Sequence, residues 1–472
     1  MLEIIILAAG KGTRMKSNLP KVMHLLAGRP LVQHVIDRAR ELSAGKIHLV
    51  VGHGAQKVEA ALAAADLTFS LQAQQLGTGH AVMQALDKLQ ADSRVLILYG
   101  DVPLIPSATL AQLVELAGDN SMGLLTVNLA NPTGYGRIVR AADGAVTAIV
   151  EQKDASAEQL LITEGNSGVM AVTAKQLRRW LPQLSSQNAQ GEYYLTDVIA
   201  LAAAEGTQIK TVLAADEIEV LGINDRAQQA QLERAFQLQQ ARVLMQQGLT
   251  LLDPTRFDVR GRLTVGQDCI VDINCIFEGD CILEDGVEIG PNCVIKNARI
   301  GAGTHIYANS TVEDSQIDAA CSVGPYARLR PGTHLKTQAK IGNFVETKKA
   351  VIGEGSKVNH LSYIGDAFLG DDVNVGAGTI TCNYDGVNKH VTQIGNNCFV
   401  GANSTLVAPI KVGDNATIAA GSTPAAAIFG PPAPKNRGVS AVRSGWASAV
   451  GSRAVTTTRS LKAATSSAAS MS

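Results

Sequence analysis

The sequence predicts an α/β doubly wound, Rossmann-like sheet, then one long linker helix, then a parallel β-helix. Three observations carry that prediction. Apolar strand-like runs alternate with helix-like stretches over the first half of the chain, a proline-free run of helix formers follows, and from Val265 onward aliphatic residues recur at every sixth position.

The first segment, residues 1–224, opens with the apolar run Leu2 to Leu7. Further strand-like runs are Ile47 to Val51 and Val95 to Leu98, and stretches such as Pro30 to Leu42 read as the helices between them. Residues 225–248, DRAQQAQLERAFQLQQARVLMQQG, hold good helix formers and end on glycine. They predict a single linker helix, a rigid strut.

Residues 249–423 carry the sixfold pattern. Anchors run Val265, Val271, Phe277, Leu283, Ile289 and Ile295, slip by one, and resume at Ile300, Ile306 and Val312. They return at Ile317, Val323, Leu329, Leu335 and Ile341, and continue to Val412 and Ile418. A period of six fits neither a helix nor an alternating strand. It is the mark of short strands and tight turns stacked coil on coil. Cys269, Cys275, Cys281, Cys293, Cys321 and Cys398 each fall four residues after an anchor, which predicts small inward-facing core positions. Neither disulfides nor a zinc site is expected, and Cys382, off the pattern, receives no redox role. Residues 424–472 are rich in Ala, Ser and Thr and have no Asp or Glu, so they read as a low-complexity, disordered tail.

Composition narrows the function. With 41 Lys and Arg against 42 Asp and Glu, nothing favours nucleic acid or an anionic membrane, and small-molecule partners are expected. No apolar run approaches the roughly 18 residues of a membrane span. The chain opens on a strand rather than a signal peptide, which predicts a cytoplasmic protein.

The stretch LAAGKGTRMKSNLPK, Leu7 to Lys21, ends a strand in a glycine-rich basic loop. Met15 stands where a dinucleotide fingerprint needs its third glycine, and GxxxxGK[ST] is absent. Backbone amides of such a loop can face phosphate oxygens, and Arg14 and Lys21 can neutralise charge during phosphoryl or nucleotidyl transfer. In LYGDVPL, Asp101 directly follows a buried strand, at the sheet edge where ligands bind.

These motifs, with LQAQQLGTGHA, PTGYGRI, VEQKDA and GEYYLTD, resemble the sugar-nucleotidyltransferase superfamily. With a hexapeptide β-helix behind them, residues 1–423 resemble the family of bacterial bifunctional N-acetylglucosamine-1-phosphate uridyltransferase/glucosamine-1-phosphate acetyltransferases. The resemblance implies a left-handed β-helix and a homotrimer with acetyltransferase sites between chains. It implies two reactions of UDP-N-acetylglucosamine synthesis, on the way to peptidoglycan and lipopolysaccharide: acetyl transfer from acetyl-CoA to glucosamine 1-phosphate, then uridylyl transfer from UTP to N-acetylglucosamine 1-phosphate.

By that resemblance Asp101 and Asn224 would hold Mg2+, and Leu7, Ala8, Ala9, Gly10, Gln72, Gly77 and Thr78 would hold UTP. Tyr99, Gly136, Glu151 and Asn166 would contact the sugar phosphate or its surroundings, and Arg14 and Lys21 would neutralise charge. In the β-helix, an insert, GAGTITCNYDGVNKHVTQ, interrupts the sixfold phase. The resemblance makes His360 the general base for the glucosamine amine, and Asn383 a donor to the developing oxyanion. Arg330 and Lys348 would clamp the sugar phosphate beside Tyr363 and Asn374. Ala377, Tyr384 and Ala420 would line the acetyl-CoA path with Ala402, which stands where the family commonly has serine.

The family pattern stops at Thr423, before an arm that in relatives closes the acetyl-CoA site. The acid-free ending that replaces it looks like a shifted reading frame, from which impaired acetyl transfer is expected. The residues oppose two other readings. A uridyltransferase with a purely oligomerising β-helix is opposed by His360, Asn383 and the NYDG insert. A non-catalytic scaffold is opposed by Arg14, Lys21, Asp101 and Asn224.

Overall fold

A computed structural model of the chain describes residues 1–430. The first part is built on a sheet of nine strands. We number them β1 (Leu2–Ala8), β2 (Lys46–Val51), β3 (Leu67–Leu71), β4 (Arg94–Tyr99), β5 (Ser121–Asn128), β6 (Arg137–Arg140), β7 (Val146–Val150), β8 (Glu164–Thr173) and β9 (Gln208–Leu213). Along the sheet the order is β9-β5-β8-β4-β1-β2-β3, with the β6–β7 hairpin paired to β8. Alternate residues of the continuous apolar strands feed two cores. Ile4, Ile6, Leu96 and Leu98 face one layer of helices, and Ile5, Leu7, Val95 and Ile97 face the other.

The sheet is parallel from β3 to β4, but β8 enters antiparallel between β4 and β5. That direction places the start of β8, with Asn166, beside the C-terminal ends of β1 and β4. A Cβ on Gly168, which has φ +84°, would run into the Tyr99 ring.

The linker helix spans Arg226–Gln246, its first amides capped by the Asp225 side chain. It does more than span a gap. Glu233 accepts from the Ala27 amide at 2.7 Å and from Gln237 Nε2 at 2.9 Å. Gln237, fully buried, brackets Val259 of the first coil. Its Oε1 accepts from Val259 N at 2.8 Å and its Nε2 donates to Val259 O at 3.0 Å. The side chain thus acts as one residue of a missing strand and closes the open edge of the solenoid.

The solenoid stacks parallel strands in register, Phe257 on Cys275, Val294 on Thr311, Lys357 on Asn374. The anchors from Val271 to Ile418 are buried in one continuous core. The slip in phase after Ile295 is a change in coil length, since partners 18 residues apart in the first coil give way to partners 17 apart. The insert lengthens a single coil, in which Asn374 meets Phe399.

All six phased cysteines are buried and unpaired with one another, as the spacing predicts. They are also hydrogen-bond donors. Cys275 Sγ lies 3.2 Å from Gly290 O and Cys321 Sγ 3.1 Å from Lys336 O, each about one coil ahead. Ser356 and Thr304 occupy equivalent positions and donate hydroxyls to Gly370 O at 2.7 Å and Asp318 O at 3.1 Å. Cysteine, serine and threonine therefore share one job here, satisfying a corner carbonyl from inside, worth about 1 kcal/mol each.

At the far end, residues 424–430, which the composition placed in a disordered tail, continue the last coil. Val407 N donates to Pro424 O at 3.0 Å, and Ile428 N donates to Lys411 O at 2.9 Å, with the Ile428 side chain against the core. A single well-phased isoleucine suffices to extend the ladder. The rest of that tail, with the disorder and shifted-frame expectations attached to it, lies outside the described residues.

Candidate functional sites

The first site lies at the C-terminal ends of β1 and β4. Leu7 and Ala8 end β1, Ala9 and Gly10 leave the sheet, and Gly12, at φ +59°, turns the loop so that its Cα packs on Lys21. Lys21 starts a short 3-10 turn and reaches across the loop. Its ammonium pairs with Asp101 Oδ2 and donates to Asn224 Oδ1 at 2.8 Å. Asn224 is held there by a backbone bond from Ile223 N to Asp101 O at 3.0 Å, while its Nδ2 faces Gly222 O. Two oxygens from distant parts of the chain thus converge on one cation position. Among the described residues Arg14, exposed on the same loop, has no hydrogen-bond or ion-pair partner.

A second wall comes from the segment after β3. Gln72, buried, donates Nε2 to Gly77 O at 3.0 Å. Gly77 sits at φ +111°, and a Cβ there would meet Tyr193 O at 2.6 Å, so GEYYLTD packs directly onto the Gly77-Thr78 backbone. Thr78 Oγ1 accepts from Leu195 N at 3.0 Å. The third wall gathers Gly136, Glu151 and Asn166. Asn166 N donates to Gly136 O at 2.8 Å, and Glu151 Oε1 accepts from Thr196 at 3.1 Å. Burial, reinforced by Asp197 and Asp154, pushes the Glu151 carboxyl above its usual range, and burial does the same to the Tyr99 phenol.

The second site lies on the solenoid. His360 is exposed, and its Nδ1 lies 2.7 Å from Asn343 Oδ1, one coil before it. Arg330 pairs with Glu346 at 2.7 Å. Lys348, two strand positions on, has its ammonium held below the usual lysine range by Lys389, with Arg330 adding to the repulsion. Three cations crowded on one surface favour an anion between them. Lys389 was not singled out in the sequence. It lies in the insert, and only the antiparallel bridge of Tyr384 to Lys389 folds it back over Lys348.

Tyr363 lies over Gly365, where a Cβ would collide with the phenol. Asn383 Nδ2 is directed at Asp366 Oδ2 and, at 3.4 Å, at the Tyr363 hydroxyl. An oxyanion donor from this amide is therefore free only when one of those bonds is given up. Ala377, Ala402 and Ala420 stack on successive coils, linked by Asn403 N to Ala377 O at 2.7 Å and Gly421 N to Ala402 O at 2.8 Å. Asn374 lies on the strand leading into Ala377.

Residues 4–190 match the MobA-like NTP transferase domain model. Residues 263–297 match the bacterial transferase hexapeptide model and 391–423 the hexapeptide repeat of succinyl-transferase. The chain is 61% identical over 422 residues to the bifunctional protein GlmU of Cellvibrio japonicus, covering 89% of this chain and 93% of that one. It belongs to the GlmU family. The GlmU proteins of Saccharophagus degradans, 62% identical with the same coverage, and Idiomarina loihiensis, 54% identical over 94% of this chain and 98% of that one, agree. Against this GlmU frame, the nucleotidyltransferase model covers the first site apart from the GEYYLTD segment and Asn224, and of the hexapeptide models one precedes the second site and the other spans its Ala402 and Ala420.

Proposed function

We infer that the chain is a bifunctional enzyme of UDP-N-acetylglucosamine synthesis, acetylating glucosamine 1-phosphate and then uridylylating the product. Its parts are a uridyltransferase domain over residues 1–224, the linker helix over 225–248, and an acetyltransferase β-helix from 249. The observation that carries the first activity is the meeting of Lys21, Asp101 and Asn224 beside a phosphate-type loop.

Asp101 Oδ2 and Asn224 Oδ1, which here share the Lys21 ammonium, are hard donors, and with that ammonium turned to the nucleotide phosphates a carboxylate with an amide would suit Mg2+, which keeps most of its waters. When bound there, Mg2+ would neutralise charge on the nucleotide phosphates. The chain's own residues do the rest. Leu7 to Gly10, Gln72, Gly77 and Thr78 seat UTP, with Gln72 and the Gly77-Thr78 backbone reading the uracil. Gly136, Glu151, Asn166 and Tyr99 place N-acetylglucosamine 1-phosphate, whose phosphate oxygen forms a bond to the α-phosphorus of UTP. The α–β bridging bond breaks and pyrophosphate leaves. Lys21 and Arg14 meet the charge that accumulates, and no protein nucleophile is needed.

In acetyl transfer, Arg330, Lys348 and Lys389 hold the phosphate of glucosamine 1-phosphate, with Tyr363 and Asn374 beside it. Asn343 Oδ1 can only accept, so His360 carries its proton on Nδ1 and offers Nε2 as base. The amine nitrogen attacks the thioester carbonyl and loses its proton to Nε2, and the carbon–sulfur bond breaks. His360 returns the proton to the CoA sulfur. Asn383 and Tyr384 stand at the acetyl end, and the alanine column of Ala377, Ala402 and Ala420 lines the cofactor.

A homotrimer completes this second site. Tyr326, Phe344 and Leu361 occupy one corner on three successive coils, at φ +56°, +56° and +48°, and all three are exposed. Bulky residues in that strained conformation on an open surface suit burial against a neighbouring copy. Among the described residues no helix is long and apolar enough to cross a membrane. We assign the enzyme to the cytoplasm from its membership of the GlmU family.

The test supplies glucosamine 1-phosphate, acetyl-CoA, UTP and Mg2+ and follows CoA thiol and pyrophosphate separately. Release of both is expected. When N-acetylglucosamine 1-phosphate is supplied directly, pyrophosphate without any CoA release in the first assay would leave a uridyltransferase alone, and neither product would leave a scaffold.

A further inference from the structure

Arg137 begins β6 and is 2% exposed, yet no carboxylate among the described residues lies within ion-pair range of it. A guanidinium cannot shed its charge, so burial without an anion has to be met by neutral acceptors. It is met by three. Nη1 donates to Pro132 O at 2.7 Å and to Tyr135 O, and Nη2 donates to Gln152 Oε1 at 2.8 Å, while Nε is buried without a partner. Gln152 Oε1 also accepts from Gly134 N at 3.2 Å. The side chain therefore ties the loop 132–136 to the strand end after β7 at several points.

Its backbone position is equally particular. Arg137 stands opposite Val150 on one side and Gly165 on the other, so its neighbours in register are Gly136, Glu151 and Asn166. Those are the residues that form the third wall of the first site. We propose that Arg137 is a positioning residue of uridylyl transfer, which shapes the sugar-phosphate side of the site by holding the Pro132–Gly136 loop against Gln152 and does not itself touch substrate. The inference rests on the assignment of that wall to the sugar phosphate.

The geometry explains why arginine is used. An apolar side chain of the same volume would avoid burying a charge, but it would leave Tyr135 O without its donor and take one donor each from Pro132 O and Gln152 Oε1, which would keep only the Tyr135 and Gly134 amides. Lysine presents a point charge where a planar fork is needed to reach oxygens on two separate segments.

The test uses the full chain with Arg137→Lys and, as a milder change, Gln152→Met, which removes a single acceptor. Pyrophosphate release is measured with N-acetylglucosamine 1-phosphate and UTP varied in turn, and acetyl transfer on the solenoid serves as the folding control. Expected is a rise in KM for the sugar phosphate of about tenfold in Arg137→Lys and about threefold in Gln152→Met, with KM for UTP within about twofold. Equal rises in both KM values, or an unchanged sugar-phosphate KM in Gln152→Met, would overturn the proposal. If the unaltered chain released no pyrophosphate, the uridyltransferase reading itself would fall. If it did and the variants matched it, only the role of Arg137 would.

Discussion

His360 Nδ1 and Asn343 Oδ1 lie 2.7 Å apart on adjacent coils. An amide oxygen has no hydrogen to give, so the contact selects the imidazole tautomer whose Nε2 lone pair is free. His360→Ala is therefore expected to lower acetyl transfer by about 10²–10⁴-fold, and Asn343→Ala by a smaller factor of about ten, through loss of tautomer and ring orientation. CoA release from glucosamine 1-phosphate measures both. Equal losses for the two variants would mean that Asn343 does more than orient the ring.

Asp101→Ala is expected to cut pyrophosphate release by about 10²-fold or more, because it removes one of two oxygens that meet at the cation position and leaves the Lys21 ammonium without its carboxylate. CoA release should stay within about twofold, since the residues of the second site all lie on the solenoid. A folded variant that lost both activities would contradict separate sites.

Glu151 gives a pH signature. Burial raises its carboxyl above the ordinary value of 4.5, so between that value and the raised one the folded chain binds more protons than the unfolded chain. Stability then falls as pH rises through that window and stays lowered above it. Glu151→Gln should remove this part of the pH dependence, raising the melting temperature at pH 8 relative to the parent more than at pH 4. The Thr196 hydroxyl retains an acceptor in the amide oxygen. Thermal unfolding at the two pH values reads the difference.

The cysteines should divide sharply in reactivity. Burial pushes the thiols of Cys275, Cys293 and Cys321 up to about 12, 11 and 11, whereas Cys382 is partly exposed. A chromogenic disulfide reagent is expected to titrate one thiol quickly in the native chain, and the other six only in denaturant. Cys275→Ser should be tolerated better than Cys275→Val, because the hydroxyl still donates to Gly290 O.

Gln237→Leu should be destabilising despite adding apolar surface. It strips the buried Val259 N–H and C=O of the side chain that brackets them, at about 1–3 kcal/mol for each group left without a partner. Gln240 also reaches Val259 O at 3.2 Å, so the amide bears the larger share. Denaturant unfolding checks this, and a stability change under about 0.5 kcal/mol would show that the helix does not close the coil edge.

The parent chain should scatter light with three times the mass of one chain, and Phe344→Glu should shift it toward monomer by placing a charge at the apolar corner. Acetyl transfer should fall with the trimer while pyrophosphate release persists.

Much of this protein is written along the chain. The sixfold recurrence determined the solenoid, because one inward residue per short strand must be apolar and the four-residue offset leaves room only for something small. The proline-free run of helix formers and its final glycine bounded the linker, and LAAGKGTR and LYGDVPL marked a phosphate-type site at strand ends. These are local rules, readable within a few residues. Only the tertiary structure decided the relationships between distant residues. It brought Asn224 to Lys21 across more than 200 residues, folded Lys389 back over Lys348, seated Asn343 under His360 one coil away, and turned β8 antiparallel so that Gly168 and Tyr99 meet. It also gave Gln237 and the cysteines hydrogen-bonding tasks that their composition does not announce. A side chain's partner across coils or strands depends on register and on which elements pack together, and no short-range pattern in the sequence specifies either.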